Sequence, residues 1–299
     1  MKKRIVITGV GILSPIGIGI EENWNALMEG KSGIDTITRF DTTGCPVTIA
    51  GEVKNFNSDD FVDKKEARRF DKFVLYAVAA TELAMRHSKL NEYPFDGERA
   101  GVIIGSGIGG FENTCETHAE FKEGGYRKIS PFFIPGTIIN MGSGLVSIKY
   151  KLLGPSFSLV SACSTGTHAI GEAAKFIERG DADIMIAGGS EYPITPTAVG
   201  AFASMKALSR RNDEPTRASR PFDRDRDGFV MAEGASVVIL ESLEHAQRRG
   251  AEIIAEVVGY GCTSDAFHIT APDDSAQGAR RCMAMAVKDA GINLTEVDY

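Results

Sequence analysis

The sequence predicts an α/β fold, and two patterns along the chain carry that prediction. Short apolar runs rich in Val and Ile alternate with longer segments in which apolar residues recur with helical period. The short runs lack polar alternation, as expected of strands buried on both faces of a sheet. No Pro/Ser-rich linker or charge run divides the chain, so we expect these segments to pack together.

The clearest elements follow from these patterns. Strands are expected at residues 4–8, 101–104, 156–160, 183–187, 236–241 and 252–260. Helices are expected at residues 21–28, 64–88, 165–179 and 277–290. The third helix stops before Gly180, which tolerates a left-handed C-terminal cap. The final residues, 293–299, are typical of the beginning of another strand.

The composition excludes several classes of protein. With 43% hydrophobic and 24% charged residues among 299, the chain is of an ordinary globular type. A formal net charge of −7 argues against a general nucleic-acid binder, which needs a basic face. No stretch approaches the roughly 20 apolar residues of a membrane span, and Gly9, Gly11 and Pro15 interrupt the apolar start. We expect a cytoplasmic protein with neither a nucleic-acid nor a membrane partner.

Cysteine and histidine spacing gives no sign of a metal site. The five cysteines are widely separated and odd in number, and no C-x-x-C pair occurs. They indicate free thiols in a reducing compartment. The five histidines also lack metal-ligand spacing. We therefore expect no bound metal.

Cys163 is the strongest candidate for chemistry. An apolar strand runs into the small residues Ser161, Ala162 and Ser164, and a helix follows. Unpaired N–H groups and the dipole at a helix N-terminus favour a thiolate and stabilise a developing oxyanion. A cysteine that merely fills space remains an alternative on the local pattern. His168 lies about 140° around the same helix from Cys163, so it is not an obvious partner.

A glycine-rich segment follows the strand at 101–104. Gly105, Gly107 and Gly110 satisfy G-x-G-x-x-G, which also occurs in dinucleotide-binding folds. The acidic residue expected about 20 positions later is missing. We therefore favour a close-packed loop that lines a pocket.

Segments along the whole chain resemble the beta-ketoacyl-acyl carrier protein synthase II family, the elongating condensing enzymes of fatty acid synthesis. They occur in the family's order. The matching segments are VITGVGILSPIG at 6–17, GSGIGG at 105–110, RKISPFFIP at 127–135, ACSTG at 162–166, GDADIMIAGGSE at 180–191, ALSRRND at 207–213, RPFDRDRDGFVMAEGA at 220–235 and SDAFHITAP at 264–272.

The resemblance implies a thiolase-like fold, with two layered α/β halves, and a homodimer. Residues 1–250 would form the N-terminal half that carries the nucleophile, and residues 251–299 would begin the C-terminal half. The rest of that second half would be missing. The family's two catalytic histidines would fall beyond Tyr299, so we do not expect this chain alone to complete a condensation.

The resemblance also implies an acyltransferase reaction. Cys163 would accept the acyl group from an acyl carrier protein. Malonyl-acyl carrier protein would then lose CO2, and its carbanion would attack the acyl-cysteine to give a 3-oxoacyl product. No cofactor of the enzyme would be needed, because phosphopantetheine arrives on the acyl carrier protein.

Further site residues are carried over from the family's motifs. Substrate-binding positions would be Ile108, Ala198 and Phe202 in the acyl pocket, Phe133 and Ile134 contributed to the partner subunit's pocket, and Thr270 at the phosphopantetheine. The surface that receives the acidic carrier protein would comprise Lys65, Arg68, Arg69, Arg127, Lys128 and Lys206.

Three other interpretations stay open. A thiolase uses a similar cysteine on coenzyme A thioesters, although the basic helix and the 220–235 segment favour the carrier protein. A non-catalytic subunit of the polyketide type would lack the cysteine that is present here. The chain is also compatible with being part of a longer parent protein.

Overall fold

The computed structural model describes residues 2–299 and confirms the predicted α/β class. The strands of this range are β1 (Ile5–Ser14), β2 (Gly17–Ile18), β3 (Asp35–Thr36), β4 (Ile49–Ala50), β5 (Ala100–Gly105), β6 (Ser156–Phe157), β7 (Ile184–Glu191), β8 (Gly234–Ser242) and β9 (Ala255–Glu256). Its α-helices are α1 (Ile20–Met28), α2 (Lys64–Ala67), α3 (Lys72–Ser88), α4 (Phe111–Gly124), α5 (Phe133–Thr137), α6 (Met141–Tyr150), α7 (Thr165–Arg179), α8 (Pro196–Ser204), α9 (Leu243–Arg248) and α10 (Gln277–Ala290).

One mixed sheet organises the molecule. Its strand order is β2-β1-β8-β7-β5-β6, and β9 pairs with β1. β5 runs parallel to β6 and β7, whereas β8 is antiparallel to β7 and β1. The carboxyl ends of β5, β6 and β7 therefore meet at the same edge of the sheet. In open α/β sheets this edge is where ligands bind.

Helices cover both faces of the sheet. α3 packs across β1, β7 and β8, and α7 packs against β7, β5 and β8. Along β5, Val102 and Ile104 enter the core on the α3 side, while Ile103 enters the core on the α7 side. Since both faces are buried, β5 is apolar or glycine at every position.

The close approach of α3 to β1 depends on a glycine. A Cβ atom at Gly11 would lie 1.9 Å from the carbonyl oxygen of Ala80, which is backbone in the middle of α3. A side chain at this position would push the helix away from the sheet. The glycines in the apolar start of the sequence therefore do not end β1, which extends to Ser14.

The predicted helix at 64–88 is wrong in one respect, because it is two helices. Asp71 has an extended backbone, and its side chain accepts a hydrogen bond from the N–H of Phe73. This arrangement is an N-cap, so α3 begins at Lys72 after the short helix α2 has ended. The other three predicted helices are confirmed, two of them with the expected bounds.

Some predicted strands are shorter than expected. β6 ends at Phe157 and β9 contains only two residues, although apolar runs extend further in both places. The predicted strand at 293–299 is wrong, since the chain there forms a 3-10 turn, Leu294–Glu296. Asn293 and Glu296 cap one another at its start, which a local sequence pattern alone would have indicated.

Between residues 2 and 299, no helix is both long and apolar enough to cross a membrane.

Candidate active site

Cys163 occupies a sharp turn between β6 and α7. Ala162–Ser164 form one 3-10 turn, and α7 begins at the next residue. Ala162 has a φ of 50°, in the left-handed region where residues with a Cβ atom are uncommon. The strand–turn–helix path predicted for this segment is confirmed. It leaves the Cys163 side chain exposed at the positive end of the α7 dipole.

Cys163 opens onto a cavity of about 640 Å³ at the carboxyl edge of the sheet. Two of the predicted acyl-pocket residues, Ile108 and Phe202, lie on its wall. Ala198 does not, because it is buried in the adjoining core behind Phe202. Thr270 is exposed and also lies outside the wall. Thus the structure brings together Cys163 and two of the predicted pocket residues.

The predicted contribution to a partner's pocket lies on another surface. Phe133 and Ile134 begin α5 and do not line this chain's own cavity. Ile134 is 61% exposed, and Phe133 is partly buried. A role across a subunit interface remains a prediction for both residues.

Two carboxylates that the sequence analysis did not identify also line the cavity. Glu233 is held by Arg39, whose guanidinium donates to both carboxylate oxygens. It also accepts hydrogen bonds from the Val53 N–H at 2.6 Å and the Tyr76 hydroxyl at 3.1 Å. Burial and the nearby carboxylate raise the pKa of Tyr76, which therefore stays a neutral donor.

The second carboxylate belongs to Glu191, at the end of β7. It accepts hydrogen bonds from Ser106, Gly107 and Ile108 in the loop that follows β5. Both carboxylates are thus occupied by protein donors. Each one fixes a segment of the cavity wall.

Histidines contribute nothing to the wall of this cavity in the described part of the chain. His168 is not part of the wall that contains Cys163. Its Nδ1 lies 2.6 Å from the Ser161 hydroxyl, and its Nε2 lies 3.5 Å from the Cys262 sulfur. His168 therefore connects the turn that carries Cys163 to the segment after β9.

Six basic residues are expected to receive a carrier protein. All six are exposed, and within residues 2–299 none of them forms a salt bridge. The Arg69 guanidinium stacks on the Phe132 ring at 4.5 Å, which links the α2 region to the segment before α5. The six residues are Lys65, Arg68, Arg69, Arg127, Lys128 and Lys206.

Two family models match nearly the whole chain. One is described as Beta-ketoacyl synthase, N-terminal domain, and matches residues 2–246. The other is described as Beta-ketoacyl synthase, C-terminal domain, and matches residues 254–299. The chain belongs to the beta-ketoacyl synthase family. The predicted family resemblance is thereby confirmed.

Curated members of the beta-ketoacyl synthase family are close in sequence. The 3-oxoacyl-acyl-carrier-protein synthase 2 of Rhizobium meliloti strain 1021 is 49% identical over 306 residues, covering 99% of this chain and 73% of the relative. The protein of the same name from Coxiella burnetii is 50% identical over 298 residues, covering 100% of this chain and 72% of the relative.

Solved beta-ketoacyl synthase structures have the same fold. A type II PKS ketosynthase bound to its acyl-carrier protein and a hexaketide superposes with a TM-score of 0.90 at 34% identity, covering 100% of this chain and 72% of that one. A beta-ketoacyl synthase from Burkholderia phymatum STM815 gives a TM-score of 0.90 at 33% identity, covering 99% and 72%. The predicted thiolase-like fold is confirmed.

Proposed function

We propose that this beta-ketoacyl synthase is an acyltransferase of fatty acid elongation in which Cys163 accepts the acyl chain from an acyl carrier protein. The observation that carries the proposal is the position of Cys163 in a strained turn before α7, open to a largely apolar cavity. The names of its relatives, 3-oxoacyl-acyl-carrier-protein synthase 2, support the same reaction. So does the ketosynthase solved in complex with its acyl-carrier protein.

The proposed reaction has two stages. In the first, the Cys163 sulfur attacks the thioester carbonyl, a new S–C bond forms, and the carrier's thiol leaves with the proton. In the second, which we do not expect this chain alone to complete, a malonyl thioester loses CO2, and the carbanion attacks the acyl-cysteine carbonyl. The 3-oxoacyl chain leaves on the carrier, and Cys163 becomes free again. Phosphopantetheine belongs to the carrier protein, so this scheme requires no metal or redox cofactor from the enzyme.

Charge supports an acidic carrier protein as the donor. The chain carries a formal net charge of −7, yet the six basic residues expected to receive a carrier protein form no salt bridge within residues 2–299. A local basic surface on an acidic protein steers an acidic partner to one place. We infer that the carrier protein docks there.

We infer a homodimer from the edge of the sheet. β6 is the last strand in the sheet order, and exposed apolar side chains surround it. Pairing with the partner's β6 would cover this edge. The exposed apolar residues are Ile148, Leu153, Phe157 and Val160.

The inferred dimer is tested by introducing a charged residue beside β6, at the edge of the sheet. We expect sedimentation equilibrium at micromolar concentration to give a dimer for the wild type and a monomer for Val160→Lys, because the new ammonium would be buried unpaired. Val258→Lys is the matched control, since Val258 is 55% exposed and Val160 is 53% exposed. A wild-type monomer, or equal dissociation of both variants, would contradict the inferred interface.

The free thiols indicate the cellular compartment in which the protein works. All five cysteines in the described range are unpaired, and Cys163 must stay reduced for the proposed chemistry. We infer a reducing compartment, the cytoplasm.

The acyl acceptor is tested by intact-mass measurement after mixing the chain with an acyl carrier protein thioester. We expect one acyl adduct, which peptide mapping locates to Cys163, and a faster reaction with the carrier-protein thioester than with the coenzyme A thioester. An adduct on another cysteine would refute the assigned nucleophile. Faster acylation from coenzyme A would contradict the acyl carrier protein as the donor.

A further inference from the structure

The loop that carries Ile108 is built around the carboxylate of Glu191. Oε1 accepts hydrogen bonds from the Ser106 hydroxyl at 2.7 Å and from the Ile108 N–H at 3.2 Å. Oε2 accepts a hydrogen bond from the Gly107 N–H at 2.5 Å. Three successive residues thus donate to one anion, in the manner of a backbone nest. Hydrogen bonds to a charged acceptor are about twice as strong as neutral ones.

The sequence of the loop fits this arrangement closely. A Cβ atom at Gly107 would lie 2.6 Å from Glu191 Oε2, so any larger residue would displace the carboxylate. Ser106 extends the contact, because its Oγ donates to Glu191 and accepts a hydrogen bond from the Gly109 N–H at 3.0 Å. Gly107 is therefore explained by Glu191, and the glycine pattern needs no nucleotide.

The loop and the nucleophile face one cavity. Ile108, Glu191 and Cys163 all line it, and Ile108 is 39% exposed, with its side chain free to meet a ligand. The N–H of Ile108 is bonded directly to the carboxylate, so the position of this side chain depends on Glu191. The position of this side chain in the cavity wall determines how much of an acyl chain the cavity can bury.

We propose that Glu191 is a positioning residue for acyl-chain selection: its carboxylate holds Ile108 in the cavity wall and so determines how well a long acyl chain is bound. The inference rests on the proposed function, in which the cavity receives the acyl group. A short acyl group needs only the region next to Cys163, whereas a long one gains from each methylene buried against the wall.

The test compares Glu191→Gln with the wild type, using butyryl and myristoyl carrier-protein thioesters as donors. The side-chain amide of glutamine has only one acceptor atom, so its NH2 group would face the N–H groups of the loop. We expect kcat/KM for Cys163 acylation by the myristoyl donor to fall roughly tenfold, mainly through KM, as for the lost burial of one or two methylenes. The butyryl donor should react within about twofold of the wild-type rate.

Glu52→Gln is the matched control. Glu52 is also a buried carboxylate that holds a loop, through the N–H and hydroxyl of Thr38, but it lies outside the cavity wall. The Glu52→Gln variant should alter the free energy of unfolding without altering the ratio of kcat/KM between the two donors. If Glu191→Gln folds poorly, Ser106→Ala removes one of the three donors and should change the ratio in the same direction.

The outcomes separate this inference from the proposed function. An unchanged donor ratio in Glu191→Gln or Ser106→Ala, or an equal loss with both donors, would overturn the positioning role while leaving the acyltransferase intact. A wild-type chain that is not acylated on Cys163 by either donor would refute the proposed function, and the positioning role with it.

Discussion

Replacing Cys163 with alanine is expected to abolish acyl transfer, with a fall of at least about a thousandfold in the rate of adduct formation. Without the sulfur atom no acyl-enzyme bond can form, so the cavity and the basic surface cannot compensate. Since Cys163 is exposed and packs little, the free energy of unfolding should change by less than about 0.5 kcal/mol. Intact-mass kinetics with a carrier-protein thioester, together with urea unfolding, measure both quantities.

Cys262→Ala is the matched control for this experiment. Cys262 is the other exposed cysteine within residues 2–299, and its sulfur lies 3.5 Å from His168. The Cys262→Ala variant should still be acylated on Cys163, at close to the wild-type rate. An adduct of undiminished yield in Cys163→Ala, or its loss in Cys262→Ala, would place the acyl group on a different thiol.

Local sequence patterns were sufficient to predict those elements whose own residues determine their structure. β5 could be predicted because both of its faces are buried, which leaves a continuous apolar run. α7 could be predicted because its apolar residues keep helical period and Gly180 ends it with a left-handed cap. The turn at Cys163 could be predicted because the small residues Ser161, Ala162 and Ser164 surround the cysteine directly before the helix.

Other features were misjudged because a local signal was overlooked or because packing decided them. The break at Asp71 has a recognisable N-cap residue, but the apolar period on either side suggested one continuous helix. β6 and β9 are short because their neighbours in the sheet, and not their own propensities, decide how many residues pair.

The two carboxylates of the cavity wall could not be identified from sequence patterns. Glu233 pairs with Arg39, which is 194 positions away, and Glu191 holds Gly107 from 84 positions away. Both glutamates lie in segments that carry the family resemblance, but no rule of spacing links them to their partners. Only the fold brings the ends of β5 and β7 side by side, and with them the loop and its anchor.

Outside the site, one buried carboxylate joins four elements of the fold. Glu241, near the end of β8, accepts hydrogen bonds from Thr8 in β1 at 2.5 Å and from Arg249, which follows α9, at 2.5 Å. His245 Nδ1 lies 2.5 Å from its second oxygen. Arg249 also donates to the carbonyl oxygen of Ser88 at the end of α3. The side chains of Glu241 and Arg249 are 0% and 4% exposed.

Glu241→Gln is expected to lower the free energy of unfolding by about 3–5 kcal/mol, because it leaves the Arg249 charge buried without a counter-ion. Chemical denaturation at neutral pH measures the change. Glu256→Gln is the control, since Glu256 pairs with an Arg4 side chain that is 64% exposed, and exposed pairs contribute less than about 1 kcal/mol. An equal loss of unfolding free energy in the two variants would show that burial does not strengthen the ion pair of Glu241 with Arg249.

The same carboxylate should make stability depend on pH. Burial opposes the charge on Glu241, but hydrogen bonds from Arg249, His245 and Thr8 outweigh burial and hold its pKa at about 2, below the ordinary 4.5. Between these values the unfolded chain binds more protons than the folded one, so stability rises with pH there. The stabilisation is present above about pH 5 and is lost as the pH falls towards 2. Denaturation across this range should therefore give a shallower pH dependence for Glu241→Gln than for the wild type, and parallel curves would contradict the assigned role.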